Sequence, residues 1–337
     1  MTSTPNAPAF DRCPDKPWGS VWCCAAIVFL GLAASLEGMW RSRGHQPSVA
    51  DSPRMWSWTR SQVAAEPVNT VVVLGDSRMQ LGFDVPTARQ QLNRSVVQLS
   101  IAGGGSPLAA LEDLAADPTF RGRVIAGVVP GWFENPAVLH DQYLAYHRVN
   151  MAVFDGFETW VGAELSSWLV VKRSSCNLRT SVGSLLRRRF PAPVPRIMDI
   201  NRQIHSDFSQ VNDLTKLRAE LLRELQSERA GKPAGSPSAT WPAVVQRYRD
   251  AARAIQQRGG RVVFVEMPTS GPRVPLDQTA YPREKFWDVF AETVRPVAIT
   301  IHFEDYEDLR AFECPDMSHL DMRDASPFTE ALLKHIQ

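Results

Sequence analysis

Thr70-Val71-Val72-Val73-Leu74 is a β-branched run without polar alternation, and Gly75 cuts it off. Such a segment suits a strand covered on both faces, the situation of a parallel sheet between helical layers. The signature recurs at residues 96–101, closed by Gly103-Gly104-Gly105, and at 124–129, stopped by Pro130-Gly131. It returns at Arg261–Glu266, running up to Pro268, and at 297–303. Helical periodicity lies between these runs. Residues 107–116 carry leucines at 108, 111 and 114 behind Ser106, and Trp241–Gln257 is stopped by Gly259-Gly260; residues 282–294 and 327–336 follow the same logic. Strands alternating with helices predict an α/β fold, a doubly wound parallel sheet flanked by helices with right-handed crossovers.

A second constraint is the run from Trp18 to Leu36, which holds no charge between Lys16 and Glu37. As a helix it covers roughly 28 Å, about the hydrocarbon thickness of a bilayer. It ends in Leu36-Glu37-Gly38-Met39-Trp40 without a small-x-small cleavage site, and Trp18, Trp22 and Trp40 flank it as interfacial anchors. A retained single-pass anchor is the expectation; a cleaved signal peptide and a buried core helix are the alternatives. Charge does not set its orientation, because Arg12 and Lys16 on one side face Arg41, Arg43 and Arg54 on the other.

These features divide the chain into a short tail (1–17), a transmembrane anchor (18–37), a juxtamembrane connector (38–67) and one α/β domain (68–337). The domain carries an insertion at about 137–240. The insertion holds an aromatic-rich stretch (154–168), a basic segment (172–189) and an expected helix at 206–228. Its place after a strand's carboxyl end is where substrate-binding elements or a lid usually sit. Lysine plus arginine number 37 against 36 acidic residues, so no wholesale attraction to nucleic acid is expected. The five cysteines lack ligand spacing and no metal site is expected; Cys176 and Cys314 either pair or are buried thiols.

Ser77 follows the first strand directly, within Leu74-Gly75-Asp76-Ser77-Arg78, and so sits at the carboxyl edge where open α/β sheets bind ligands. It is either a nucleophile awaiting a base or part of a helix cap with Asp76. After the fifth strand comes Asp316-Met317-Ser318-His319. That spacing lets the carboxylate orient one imidazole nitrogen while the other faces a nucleophile from another strand end; a capping Asp and a surface His are the alternative. Arg273, leaving the fourth strand, and Arg78, next to the serine, are candidate substrate-binding residues, with a surface loop and a turn-holding role as their alternatives. Arg187-Arg188-Arg189 either touches anionic lipid or polymer, or is simply solvated.

Together these segments resemble the SGNH (GDSL-like) hydrolase family. Leu74-Gly75-Asp76-Ser77 is similar to its first block, Leu99-Ser100-Ile101-Ala102-Gly103 to its second and Asp316-Met317-Ser318-His319 to its last. The resemblance implies Ser77 as nucleophile, His319 as base, Asp316 as its orienting acid, and the amides of Ser77 and Gly103 as part of an oxyanion hole. The third strand is followed by Val129-Pro130-Gly131-Trp132-Phe133-Glu134-Asn135-Pro136 in place of the family's G-x-N-D. Asn135 is the candidate side-chain donor there, at a different offset, with a turn before Pro136 as the alternative. An N-terminal membrane segment before a domain whose serine block comes first further resembles membrane-anchored O-acyl transfer proteins, the type of the D-alanyl transfer protein of teichoic acid modification. That implies an O-acyltransferase or esterase acting outside the cytoplasm on a cell-envelope polysaccharide. No cofactor is implied; a membrane-bound O-acyltransferase is the implied partner. The competing expectations are a non-catalytic binding or assembly protein of polysaccharide export, and a cytoplasmic lipase-like esterase.

Overall fold

The computed structural model describes residues 18–129, 133, 138–150, 153–230 and 235–336. The expected tail (1–17) and Asn135 lie outside the described residues. Helix α1 spans Trp18–Arg41, α2 Pro53–Ala65, β1 Thr70–Leu74, α3 Ser77–Gly82, α4 Val85–Leu92, β2 Ser95–Gln98, α5 Leu108–Ala116 and β3 Arg123–Gly127. The region of the insertion supplies α6 (Val138–Asn150), α7 (Val153–Trp168), α8 (Leu178–Arg187), the strands β4 (Arg196–Met198) and β5 (Ile204–Ser206), and α9 (Leu214–Arg229). Then come α10 (Trp241–Gln257), β6 (Arg261–Glu266), α11 (Arg273–Ala280), α12 (Trp287–Val294), β7 (Ile299–His302), α13 (Glu307–Arg310) and α14 (Met322–Lys334).

Five strands form one sheet in the order β2-β1-β3-β6-β7, every pair parallel. Strand alternation feeds two cores. Val72, Leu74, Val124, Ala126, Val262 and Phe264 pack with Leu111 of α5, Tyr248 of α10 and Phe290 of α12. Val71, Val73, Ile125, Val263 and Val265 face the other way, onto Met79 of α3, Ala88 of α4 and Phe328 of α14. Helices therefore cover both faces, which is why the runs read as apolar throughout. The order reverses between β1 and β3, and in such sheets that switch point opens a crevice at the carboxyl edge. A separate antiparallel hairpin, β4–β5, belongs to the insertion.

Several expected boundaries move. The apolar helix runs on to Arg41, and its last turn buries Trp40 completely against Val170 and Cys176. The expected connector is largely helical: α2 is capped by Ser52, whose side chain accepts from Met55 N, and Pro53 sits in its first turn. In place of a helix over 206–228 the chain ends a hairpin, turns, and starts α9 only at Leu214 behind the Asp213 cap. Residues 282–294 are a turn followed by α12, while α11 lies upstream of Pro282. The last helix begins at Met322 behind Asp321 and carries Pro327 inside it, so that proline does not mark its start. Cys176 and Cys314 are both free and buried. Cys314 donates its thiol to Pro268 O at 3.2 Å, and burial pushes that thiol up to about 12.

Candidate functional site

Gly75 makes the first turn of the site possible. Its φ is +145°, and a Cβ there would lie 2.7 Å from Met79 Cγ. Asp76, the cap of α3, accepts from Arg78 N at 2.9 Å, so Ser77 is held as the first residue of that helix, half-buried. Burial pushes the Asp76 carboxyl up, against the opposing pull of Arg78 and His319.

The segment after β7 folds into a tight loop in which Met317 adopts φ +73°. Asp316 explains the spacing to His319. Its Oδ1 accepts the amides of Ser318 (3.0 Å) and His319 (2.7 Å), and its Oδ2 accepts from His319 Nδ1 at 2.8 Å. Burial works against the carboxylate's charge, but the His319 hydrogen bond, its charge and the two amides hold Asp316 below the ordinary carboxylate range. The other imidazole nitrogen, His319 Nε2, lies 2.7 Å from Ser77 Oγ. Ser77, His319 and Asp316 thus form one hydrogen-bonded chain across 242 residues of sequence. Oriented this way, the imidazole can take a proton from the hydroxyl while the carboxylate stabilises the imidazolium.

Beside β1, the loop after β2 stays paired with the sheet: Leu99 N donates to Val73 O at 2.8 Å and Ile101 N to Gly75 O at 3.0 Å. Ala102 N donates to Gln80 Oε1 at 2.8 Å. Gly103 follows, exposed, at φ +73°. Among the described residues neither the Ser77 nor the Gly103 amide is engaged, as an anion-stabilising donor requires. Sequence reasoning missed what holds this loop. Arg202, fully buried in the β4–β5 turn at φ +62°, donates to Gln98 O (2.8 Å) and Ser100 O (3.1 Å) and pairs with Asp51 at 2.8 Å. Gln80 joins the same network through Asp51 (3.2 Å) and Arg202 O (3.0 Å). His140 of α6 was also missed. It is fully buried against Gly75 and Gly104, and burial followed by the nearby Arg202 charge pushes it down to about 4, so it is neutral at pH 7.

A cavity of about 660 Å³ opens against Asp316, Ser318 and His319; Ser77 does not line it. Its walls include Arg78 and Arg273, the two arginines singled out above, with Leu221, Glu224 and Leu225 from α9 and Tyr281 and Trp287. Arg273 is tied to Asp277 at 3.0 Å, and Arg229 of α9 reaches the same carboxylate. Arg273 is therefore a built part of the wall. Glu266 and His302 also line it, paired in register at the carboxyl ends of β6 and β7 with Oε2 and Nε2 3.7 Å apart. Burial pushes Glu266 up to about 8 despite Arg78, and pushes His302 down to about 4, helped by Arg283. Among the described residues no cluster of His, Cys, Asp and Glu is arranged to hold a metal ion.

The fold and site define an α/β protein with a Ser–His–Asp hydrogen-bonded chain at the carboxyl edge of a parallel sheet. No family model matches the chain, and no curated protein matches it. Among solved structures it is similar to one titled "Crystal Structure of TesA", with 14% identity and a TM-score of 0.36, covering 80% of this chain and 98% of that chain.

Proposed function

We propose that the protein is an SGNH-type serine O-acyltransferase or esterase, held at a membrane by α1, with Ser77 as nucleophile, His319 as base and Asp316 as the residue that orients it. The observation that carries this reading is the hydrogen-bonded chain, with 2.7 Å from Ser77 Oγ to His319 Nε2 and 2.8 Å from His319 Nδ1 to Asp316 Oδ2. The reaction is a double displacement. His319 takes the Ser77 proton as Oγ attacks the acyl carbonyl, the Ser77 and Gly103 amides stabilise the oxyanion, and His319 returns the proton to the leaving group. An acceptor hydroxyl then gives its proton to His319 while attacking the acyl-serine, and the released serine oxygen recovers that proton.

The cavity supports transfer to a bound acceptor, because its wall includes the imidazole that must deprotonate the acceptor hydroxyl. Tyr281 beside carboxylates and arginines suits a hydroxyl-rich ring, and we assign the acceptor to a cell-envelope polysaccharide. A bound sugar hydroxyl has an effective molarity that bulk water lacks, so transfer should outrun hydrolysis. This reading places the domain outside the cytoplasm and takes a membrane-bound O-acyltransferase as acyl-donor partner. Among the described residues one helix, Trp18–Arg41, is long and apolar enough to cross a membrane.

The test is covalent labelling with a serine-directed fluorophosphonate, followed by turnover of an activated acyl ester with and without polysaccharide. Labelling that Ser77→Ala abolishes, and acylated polysaccharide in excess of free acid, are the expected results. Predominant free acid at saturating acceptor makes the protein an esterase. Neither labelling nor turnover leaves a binding or assembly protein that keeps the scaffold.

A further inference from the structure

A helix on the surface of a water-soluble domain turns its apolar stripe inward. Helix α8 does the opposite. It buries Ser181 and Ser184 and turns Leu178, Val182, Leu185 and Leu186, at i, i+4, i+7 and i+8, outward at 49–81% exposure. Helix α7 presents a second such stripe, Phe157, Trp160, Leu165 and Trp168, 43–71% exposed. Isolated exposed apolar residues are ordinary, but two helices in succession with outward stripes call for a partner.

Three side chains at the end of α1 place this surface. The segment joining the two helices is fastened to the end of α1: the Glu37 carboxylate accepts the amides of Val170 (2.9 Å) and Val171 (3.1 Å). Arg41 donates to Trp168 O at 2.6 Å, and the Trp40 indole donates to Ser181 Oγ at 2.9 Å. The apolar surface is thereby built onto the point where the apolar, solvent-facing α1 meets the domain. Charge agrees with this position. From residue 165 to 198 the chain holds no acidic residue, while Lys172, Arg179, Arg187, Arg188 and Arg189 are exposed on this stretch. Outward leucines, tryptophans at the margin and a fringe of cations are the composition of a helix lying in the headgroup region of an anionic leaflet.

We propose that α7 and α8 lie in the membrane surface beside α1, with their apolar stripes in the acyl boundary and their arginines among anionic headgroups. This rests on the reading of α1 as a membrane anchor. It makes the anchor a three-helix platform that holds the domain in one orientation over the bilayer, where a freely tethered domain would tumble.

The test uses the full chain in bilayer discs of phosphatidylcholine and phosphatidylglycerol, with Cys13, Cys23 and Cys24 replaced by serine. A nitroxide is placed in turn at Leu30→Cys, Trp168→Cys, Leu178→Cys, Leu186→Cys and, as an exposed control on α9, Ser227→Cys. Relaxation by oxygen, which concentrates in lipid, is compared with relaxation by a water-soluble nickel chelate. Positions 168, 178 and 186 should prefer oxygen as position 30 does, and position 227 should prefer nickel. Nickel preference at 168, 178 and 186 with position 30 still in lipid overturns the platform alone. Nickel preference at position 30 as well overturns the anchor reading beneath it. Protection of 178 and 186 from both reagents means that protein covers the stripe, which also overturns the proposal.

Discussion

Asp316 serves two structures at once, and substitution can separate them. Asp316→Asn keeps an oxygen for the Ser318 and His319 amides but presents the imidazole with the wrong partner for its required tautomer. Turnover should fall by about 10⁴-fold while thermal stability changes little, the pattern known for triad carboxylates; near-normal turnover would remove Asp316 from the mechanism. Glu266 and His302 predict a pH signature. Unfolded, they titrate near their ordinary values of 4.5 and 6.5; folded, near about 8 and about 4. Between pH 4.5 and 6.5 the unfolded chain has released the Glu proton that the native state keeps, but has gained a His proton that the native state lacks, so the two slopes oppose. From about 6.5 to about 8 only the glutamate term remains, and stability falls as pH rises. Glu266→Gln should flatten that range in urea titrations at successive pH values; an unchanged slope would mean that Glu266 ionises normally.

At the scale of elements, the turn from β1 into α3 and the β4–β5 hairpin carry the site. Gly75→Ala places a methyl group against Met79 at a φ that L-residues avoid. A loss of at least about 1–3 kcal/mol follows from the backbone term alone, read as a lowered urea midpoint. The hairpin acts through Arg202, whose buried guanidinium ties Asp51, ahead of α2, to the loop after β2. Asp51→Ala leaves that buried charge without its carboxylate; because the Asp51 side chain is itself 24% exposed, water can replace part of it, and the cost falls short of the about 3–5 kcal/mol of a fully buried pair. A loss below about 1 kcal/mol in equilibrium unfolding would show that the pair is solvated in practice.

For the whole molecule, the last turn of α1 is packed into the domain through Trp40 and Glu37. A spanning helix fastened in this way should resist alkaline and high-salt washing of membranes and require detergent for release. Release of full-length protein by carbonate alone would contradict the anchor. The insertion has two destinations: α7 and α8 meet the end of α1, whereas α9 forms a wall of the cavity beside His319. The proposed membrane contact and the proposed acceptor site thus draw on different helices of one inserted stretch of chain.

Local chemistry was enough to read β1 and β6 from their β-branched runs, α10 from its periodicity, and Ser77 and the Asp316/His319 pair as candidates from their places after strands. In each case neighbouring residues supply the cause: a glycine that frees a turn, a carboxylate three residues from an imidazole. What the sequence could not determine depends on groups brought together from far along the chain. The β4–β5 hairpin packs through Arg202 onto Asp51, and the buried Trp40 turn rests on the insertion folding back onto α1. The cavity likewise exists only because α9 and α11 close over the carboxyl ends of β6 and β7. Period and spacing report which face of an element is apolar. Only tertiary packing decides what that face meets, and for α8 it leaves the apolar face outward, beside the end of α1.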